Sequence, residues 1–488
     1  MSYILAIDQS TSITKALLFN ESGELCGRFD VAHKNYINEK GWVEHDMEEI
    51  YSNLISSIRG LLEQSDVDVS LIKSCAITNQ RETTVAYDKK TGKSIYHAIV
   101  WQCGRATEIC SQLEDKASMI KKKSGMNLSP YFSAAKMNWI INNVEEARIL
   151  AEKNELALST VDAYLIYRLS GLKAYKTEYS NASRTQLFNI STLKWDEELL
   201  DLFELDRSMM PEVCDSDSLF CYTDFEGLFK NPIPIHSVLA DSQSALFAQG
   251  GYKAGIVKAT YGTGSSVMAN IGEKRIDFES LVTSIGWKIG GKLNYVVEGN
   301  INNCGSITKW LVESMGILSK AKDASDVAKS VTSKNNVYLV PSFSGLGAPY
   351  WKSDARAIIY GMDRTTGKNE IVKAGEEAIG YQINDILMLM KEEGHILIDS
   401  LKVDGGITND SFVMQFQADI SNVDVDVAPI EELSALGSAI SASIATGLID
   451  LSYFDSSRCK ERYSPRISNI ERKEKIHGWK EAVDKVLN

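Results

Sequence analysis

Three short polar turns in this chain carry residues able to do chemistry on phosphate. The first follows the apolar run Ile4-Leu5-Ala6-Ile7, which stops on Asp8 and passes into Gln9-Ser10-Thr11-Ser12 before a second apolar run, Ala16 to Phe19. A carboxylate at a strand end, followed by a hydroxyl-bearing turn, suits a metal–phosphate group. Backbone N–H groups and hydroxyls face phosphate oxygens, and the carboxylate holds Mg²⁺ directly or through its water. The second turn, Gly262-Thr263-Gly264-Ser265-Ser266, again joins two apolar strands, Ile256 to Tyr261 and Val267 to Ile271. In the third, Val403-Asp404-Gly405-Gly406, a strand gives way to a helix around Phe412 to Ile420. Paired glycines there let backbone approach a nucleotide closely. One such turn alone is ordinary turn chemistry; the recurrence gives the pattern weight.

Two other places carry candidate groups. Asn79-Gln80-Arg81-Glu82 sets opposite charges side by side between apolar strands. Neighbouring strand residues point to opposite faces, so both side chains reach one ligand only from a loop or strand end. There Arg81 offers a donor fork and Glu82 acceptors, a match to vicinal hydroxyls; a solvated turn with a local ion pair is the other reading. Asp241 follows a short apolar strand, Ile235 to Leu239, and precedes a helical run to Gln249, where it also suits a helix N-cap. Tyr131, in the break Ser129-Pro130-Tyr131-Phe132, reads either as a ligand wall or as core. The glycine–lysine stretches at Thr91 to Ser94 and Gly361 to Lys368 lack P-loop spacing, and the Gly262 turn lacks the third glycine of a dinucleotide fingerprint.

The elements that must position these groups alternate strands and helices in both halves of the chain. At 488 residues the chain is too long for one hydrophobic core. Gly250-Gly251 marks a boundary between two α/β domains, 1–250 and 251–488, each opening on a strand–turn–strand unit. Helical patterns dominate from Ala106 to Leu202, and Glu376 to Met390 reads as an amphipathic core helix. A net charge of -13 without a long basic run argues against nucleic acid and anionic membrane as partners. No apolar stretch reaches the length of a membrane span, and the N-terminal run, which contains Asp8, does not read as a signal peptide. The 8 Cys are scattered without a C-x-x-C, which fits reduced thiols in the cytoplasm.

Nine blocks in this order resemble the FGGY carbohydrate kinases, most of all their glycerol kinase branch. They are Asp8 to Ser12, Gly41 to Asp46, Asn79 to Thr83, Ala98 to Gln102, Tyr261 to Gly264, Gly345 to Trp351, Val403 to Gly406, Met414 to Gln417 and Ala435 to Ala439. The resemblance implies two actin-like, ribonuclease-H-like domains with an active-site cleft between them. It also implies ATP and Mg²⁺ as cofactors, a small sugar or polyol as acceptor, and a homodimer or homotetramer. By matched position, Asp241 is the general base and, with Asp8, the Mg²⁺ side of the site. Thr11, Ser12, Lys15, Thr263 and Gly264 contact the phosphates, and Gly305, Gly405 and Gly406 line the nucleotide's other end. Arg81, Glu82, Tyr131 and Asp241 bind the acceptor, with Trp101 as an apolar wall.

The chain departs from the glycerol kinase pattern at several of these positions. Ser10 stands where Gly is usual, and Lys15 where Arg is usual, keeping the charge but losing the bidentate fork. Ser242 replaces a Gln and Ser266 a Phe, both expected against the acceptor; Asp410 takes the place of an Asn beyond the Gly-Gly turn. The two smaller side chains point to a roomier, more polar pocket. That leaves glycerol and a larger acceptor open, either a four- or five-carbon polyol or a pentulose such as xylulose or ribulose. A non-catalytic sugar- or ATP-binding regulator, or an ATPase using water, are the readings from other classes.

Overall fold

The computed structural model describes residues 2–332, 336–352, 354–449, 451 and 459–488. Two compact units divide the chain. One contains the first 248 residues, Ser284–Tyr295 and the segment opening at Glu432; the other contains Gln249–Thr283, Val296–Glu431 and the C-terminal strand and helix.

The first unit is built on a six-stranded sheet in the order Leu219–Thr223, Ile233–Ala240, Ile72–Asn79, Tyr3–Gln9, Ile13–Asn20, Leu25–Ala32. Tyr3–Gln9 pairs antiparallel with Ile13–Asn20, setting Asp8 opposite Lys15. It pairs parallel with Ile72–Asn79, which in turn pairs parallel with Ile233–Ala240. Three parallel strands therefore finish at one end of the sheet, on Gln9, Asn79 and Ala240, the end at which α/β sheets bind ligands. Apolar residues of these strands, among them Leu5, Ile7, Ile77 and Val238, are fully enclosed. The helix Met47–Gln64 closes that core with Ile50, Leu54, Ile58 and Leu61. Its start is fixed by Asp46, whose side chain accepts from the N–H groups of Glu48 and Glu49.

The second unit repeats this wiring. Lys292–Ile301, Ser265–Gly272, Val257–Tyr261, Ser400–Asp404, Asp424–Val427 and Glu461–Tyr463 follow one another across its sheet. Val257–Tyr261 is antiparallel to Ser265–Gly272 and parallel to Ser400–Asp404, which is parallel to Asp424–Val427. The 25-residue helix Lys368–Glu392 lies in the core through Ile379, Ile383, Ile386 and Met390.

Two local readings change. The stretch Ala106 to Leu202 is not helical throughout, because Leu156–Thr160 forms a strand paired with Thr84–Asp88. A short apolar run flanked by helices carries no periodicity that separates strand from helix. Ser265 and Ser266 belong to the strand after the Gly262 turn, with Ser266 opposite Thr260, so the turn itself is shorter than the sequence indicated. No helix among the described residues is long and apolar enough to cross a membrane.

Within the first unit, helix Leu433–Ala445 meets the short helix Asp241–Leu246. Ser434 Oγ donates to the Asp241 carbonyl at 3.1 Å, and Ser244 Oγ donates to the Ser434 carbonyl at 2.5 Å. A methyl group on Gly437 would fall on the Ser244 carbonyl. Gly437→Ala is therefore expected to destabilise the protein by about 1–3 kcal/mol through overpacking, read as a lower urea midpoint; an unchanged midpoint would show that the two helices are free to separate.

Candidate functional site

The sheet end of the first unit collects most of the candidate residues. Asp241 is the first residue of its helix, while Ala240 is the cap, so the N-cap reading gives way to one in which the carboxylate is held from the side. Arg81 Nε lies 3.3 Å from Asp241 Oδ1, and the Ser242 N–H donates to the same oxygen at 2.6 Å. The Asp241 side chain remains about one-third exposed, open to a ligand.

Arg81 and Glu82 are buried, which removes the solvated-turn reading. Glu82 holds a left-handed backbone at φ 60°, a conformation that costs a non-glycine residue free energy and persists only where surroundings impose it. Its side chain is held by Arg184, whose Nε donates to Glu82 Oε1 at 2.6 Å with both side chains 1% exposed. Ser133 Oγ adds a bond to the Glu82 carbonyl at 3.1 Å. Arg184 is separated from Glu82 by 102 positions, and no local motif marks it.

Trp101 and Tyr131 pack against each other, with ring centroids 5.4 Å apart. Trp101 Nε1 donates to Thr11 Oγ1 at 3.0 Å, tying that pair to the first polar turn. The buried Lys136 donates to the carbonyls of Tyr131 and Phe132, fixing the backbone beneath Tyr131. Burial pushes the Lys136 amine down to about 7, and the neighbouring Glu82 carboxylate opposes the shift. Ser12 is exposed on the same turn.

Asp8 is buried beside Lys15, whose Nζ lies 3.5 Å from Asp8 Oδ2 and 2.7 Å from Glu432 Oε2. Burial raises the Asp8 carboxyl to about 6; Lys15 opposes the rise, while the Glu432 and Asp241 carboxylates add to it. Glu432 is therefore the second electrostatic partner of this turn. It too was illegible in the sequence, being 417 positions from Lys15.

In the second unit the Gly262 and Gly405 turns come together. Gly305 N–H donates to the Gly262 carbonyl at 2.9 Å, and the Thr263 carbonyl accepts from Cys304 and Ser306 N–H groups at 2.9 and 3.2 Å. Gly405, at φ 97°, sits where a Cβ would strike the Tyr261 backbone, so only glycine permits this approach. The Thr263 side chain is left exposed. Beside these turns lies a cavity of about 510 Å³ whose lining includes Gly305, Thr308, Lys309, Glu376, Gly406 and Asp410. Its size is that of a small-molecule site. Asp410 has a structural duty, capping helix Ser411–Ser421 by accepting from Phe412 and Val413 N–H groups at 2.9 and 3.1 Å. Ser266 Oγ donates to the buried Glu298 Oε1 at 2.7 Å, so its hydroxyl is oriented by a fixed carboxyl.

Comparison with known proteins gives the family. Residues 3–248 match the N-terminal domain of the FGGY family of carbohydrate kinases, and residues 257–446 its C-terminal domain. The chain is 45% identical to glycerol kinase 1 of Thermotoga maritima, covering 99% of both chains. It is 42% identical to the glycerol kinase of Bacillus licheniformis, covering 99% of this chain and 98% of the other. The crystal structure of Plasmodium falciparum glycerol kinase with ADP superposes with a TM-score of 0.94 at 34% identity, over 100% of this chain and 99% of that one. A ligand-bound xylulose kinase from Lactobacillus acidophilus, at 20% identity, shares the fold with a TM-score of 0.88 over 99% of this chain and 98% of its own. The chain belongs to the FGGY family of carbohydrate kinases.

Proposed function

We propose that this kinase transfers the γ-phosphoryl group of ATP to a hydroxyl of glycerol or a related polyol. The observation that carries the reading is the Asp241 carboxylate, held by Arg81 and the Ser242 N–H beside the buried Glu82–Arg184 pair. Asp241 takes the proton of the acceptor hydroxyl as its oxygen bonds to the γ-phosphorus and ADP leaves. Arg81 and Glu82 hold neighbouring hydroxyls, and Trp101 and Tyr131 cover the carbon chain. The acceptor and the phosphate turn at Thr11, Ser12 and Lys15 are assigned to the N-terminal domain, 1–250. The nucleotide is assigned to the C-terminal domain, 251–488, with its base in the cavity beside Gly305 and Gly406 and its phosphates at Thr263 and Gly264. Glycerol enters the proposal from the two bacterial relatives, and ATP from the ADP named with the Plasmodium structure.

No group of three or more His, Cys, Asp or Glu among the described residues could hold a metal. That fits Mg²⁺ as it is usually met with nucleotides, bound through one or two carboxylates and phosphate oxygens rather than a protein cage. Asp8 and Asp241 are the carboxylates assigned to it, where Mg²⁺ would neutralise charge on the transferring phosphoryl group. The family resemblance also carries a homodimer or homotetramer and a cytoplasmic location, and the eight free cysteines suit the latter.

Asp241→Asn is expected to lower kcat by about 10²–10⁴-fold while ADP still binds, measured by turnover and calorimetry; retained turnover would remove Asp241 from the mechanism. Gly406 has open space where a Cβ would stand, so Gly406→Leu fills the cavity without strain and should weaken ADP at unchanged thermal stability. Unchanged ADP affinity would place the base elsewhere.

The ionised Asp8 should cost stability. Its folded pKa lies above the unfolded one, so its contribution favours folding only while protonated and is lost as pH rises through about 6. Asp8→Asn is expected to stabilise by about 1–3 kcal/mol near neutral pH, with the gain gone at about pH 4. A gain of equal size at both pH values would contradict this origin.

Ser242 and Ser266 are smaller than the Gln and Phe usual at these positions in glycerol kinases, which favours a longer acceptor. Ser242→Gln with Ser266→Phe should shift the kcat/KM ratio towards glycerol over a pentitol by about tenfold; no shift would show that neighbouring side chains already fill the space.

A further inference from the structure

The cavity beside Gly406 contains an ionisable group that neither the fold nor the phosphate turns require. Glu376 lines it from the long helix Lys368–Glu392 and is 1% exposed. Thr308 Oγ1 donates to Glu376 Oε1 at 2.9 Å from helix Gly305–Glu313, so the carboxyl is oriented as well as enclosed. Its chain neighbour Glu377 is engaged with Lys475 Nζ at 3.2 Å, whereas Glu376 has no cationic partner in an ion pair among the described residues.

We propose that Glu376 reads the nucleobase in this cavity, its carboxyl donating a hydrogen bond to a ring nitrogen of adenine. The inference rests on the assignment of the cavity to the nucleotide. A buried carboxylate without a countercharge is costly and takes up a proton instead. Burial, with the Asp410 carboxylate adding to it, raises the Glu376 group to about 8, so near neutral pH it carries the proton. A protonated carboxyl has one O–H donor, and with Thr308 already donating to Oε1 that donor is left for a ligand. An ionised carboxylate only accepts and would face the ring nitrogen's lone pair. The other titratable groups around it are Asp410 at the start of helix Ser411–Ser421 and Cys304 ahead of helix Gly305–Glu313. Lys309, Glu313 and Lys322 also line the cavity. Burial keeps the Cys304 thiol protonated, and Lys309 lies 3.8 Å from Glu313.

The test is the calorimetric affinity for ADP, without acceptor, at about pH 7 and about pH 9, above the range in which a terminal phosphate titrates. The native protein should lose about tenfold in affinity over this interval, in step with the protonated fraction of Glu376. Glu376→Gln keeps an N–H donor at every pH and should bind ADP with a flat profile. Glu376→Leu should bind weakly at both pH values. A deaza analogue of ADP in which the nitrogen that is read is replaced by C–H should lose the pH dependence with the native protein. A native profile that is flat, or a slope that survives in Glu376→Gln, overturns the proposal. The Gly406→Leu variant separates the two levels. If it weakens ADP while the Glu376 variants and pH do not, the cavity holds the nucleotide and only the role of Glu376 falls. If Gly406→Leu also leaves ADP untouched, the nucleotide assignment falls with it.

Discussion

The first unit depends on three parallel strands ending at the same edge of one sheet. Tyr3–Gln9, Ile72–Asn79 and Ile233–Ala240 run side by side in register, with Gln9 opposite Asn79 and Asn79 opposite Ala240. The residues following each strand therefore leave the sheet together. This puts the Ser10 to Ser12 turn, the Arg81–Glu82 pair and Asp241 in one neighbourhood although they are far apart in the chain. A register shift of one residue in any of these strands would turn its side chains to the opposite face and scatter the groups. The fully enclosed apolar residues of the strands hold the register, and the chemistry inherits its geometry from them.

Around this edge, polar groups are buried in pairs that need each other. Glu82 has a left-handed backbone and is buried, and Arg184 is equally enclosed. Removing either partner would strand the other charge in a low-dielectric setting, a larger penalty than the pair's net contribution to stability. Asp8, Lys15 and Glu432 differ from that pair: one amine stands between two carboxylates, so Lys15 keeps Glu432 as a countercharge when Asp8 is neutral. Asp8 still titrates higher than a free carboxyl because burial outweighs Lys15. Stability is given up here so that a carboxylate stands where cation and phosphate are expected, a compromise met at many functional sites. In the second unit the device differs. Gly305 and Gly405 let backbone segments come close, and a cavity of small-molecule size opens next to them.

Much of this was legible in the sequence, for identifiable reasons. Asp8, Arg81, Glu82 and Asp241 each sit where an apolar run meets a polar turn, and such punctuation survives in the residue order. The repeated strand–turn–strand opening was visible too, and it corresponds to the shared strand order of the two sheets. Arg184, Glu432 and Lys136 were not legible. Each acts through a partner distant in sequence or through a backbone carbonyl, and nothing in its own neighbourhood announces that. Glu376 was hidden for another reason. It falls within a helix whose apolar periodicity accounts for its neighbours, and a carboxylate there reads as a solvated position until the cavity is seen. The strand Leu156–Thr160 was lost among helices because five residues do not establish a period.

Phosphoryl transfer to a polyol hydroxyl is tested most directly by ADP release from Mg-ATP against a panel of acceptors. The panel contains glycerol, erythritol, the pentitols and the common ketopentoses, with the phosphorylated product counted alongside. ADP release is expected only when an acceptor is present, one ADP for each phosphorylated polyol, with glycerol or a related polyol giving the highest kcat/KM. Release at one rate whatever is added would make the protein an ATPase, and silence with every acceptor, with ADP still bound, would make it a binding protein; either result would rule out phosphoryl transfer to a polyol.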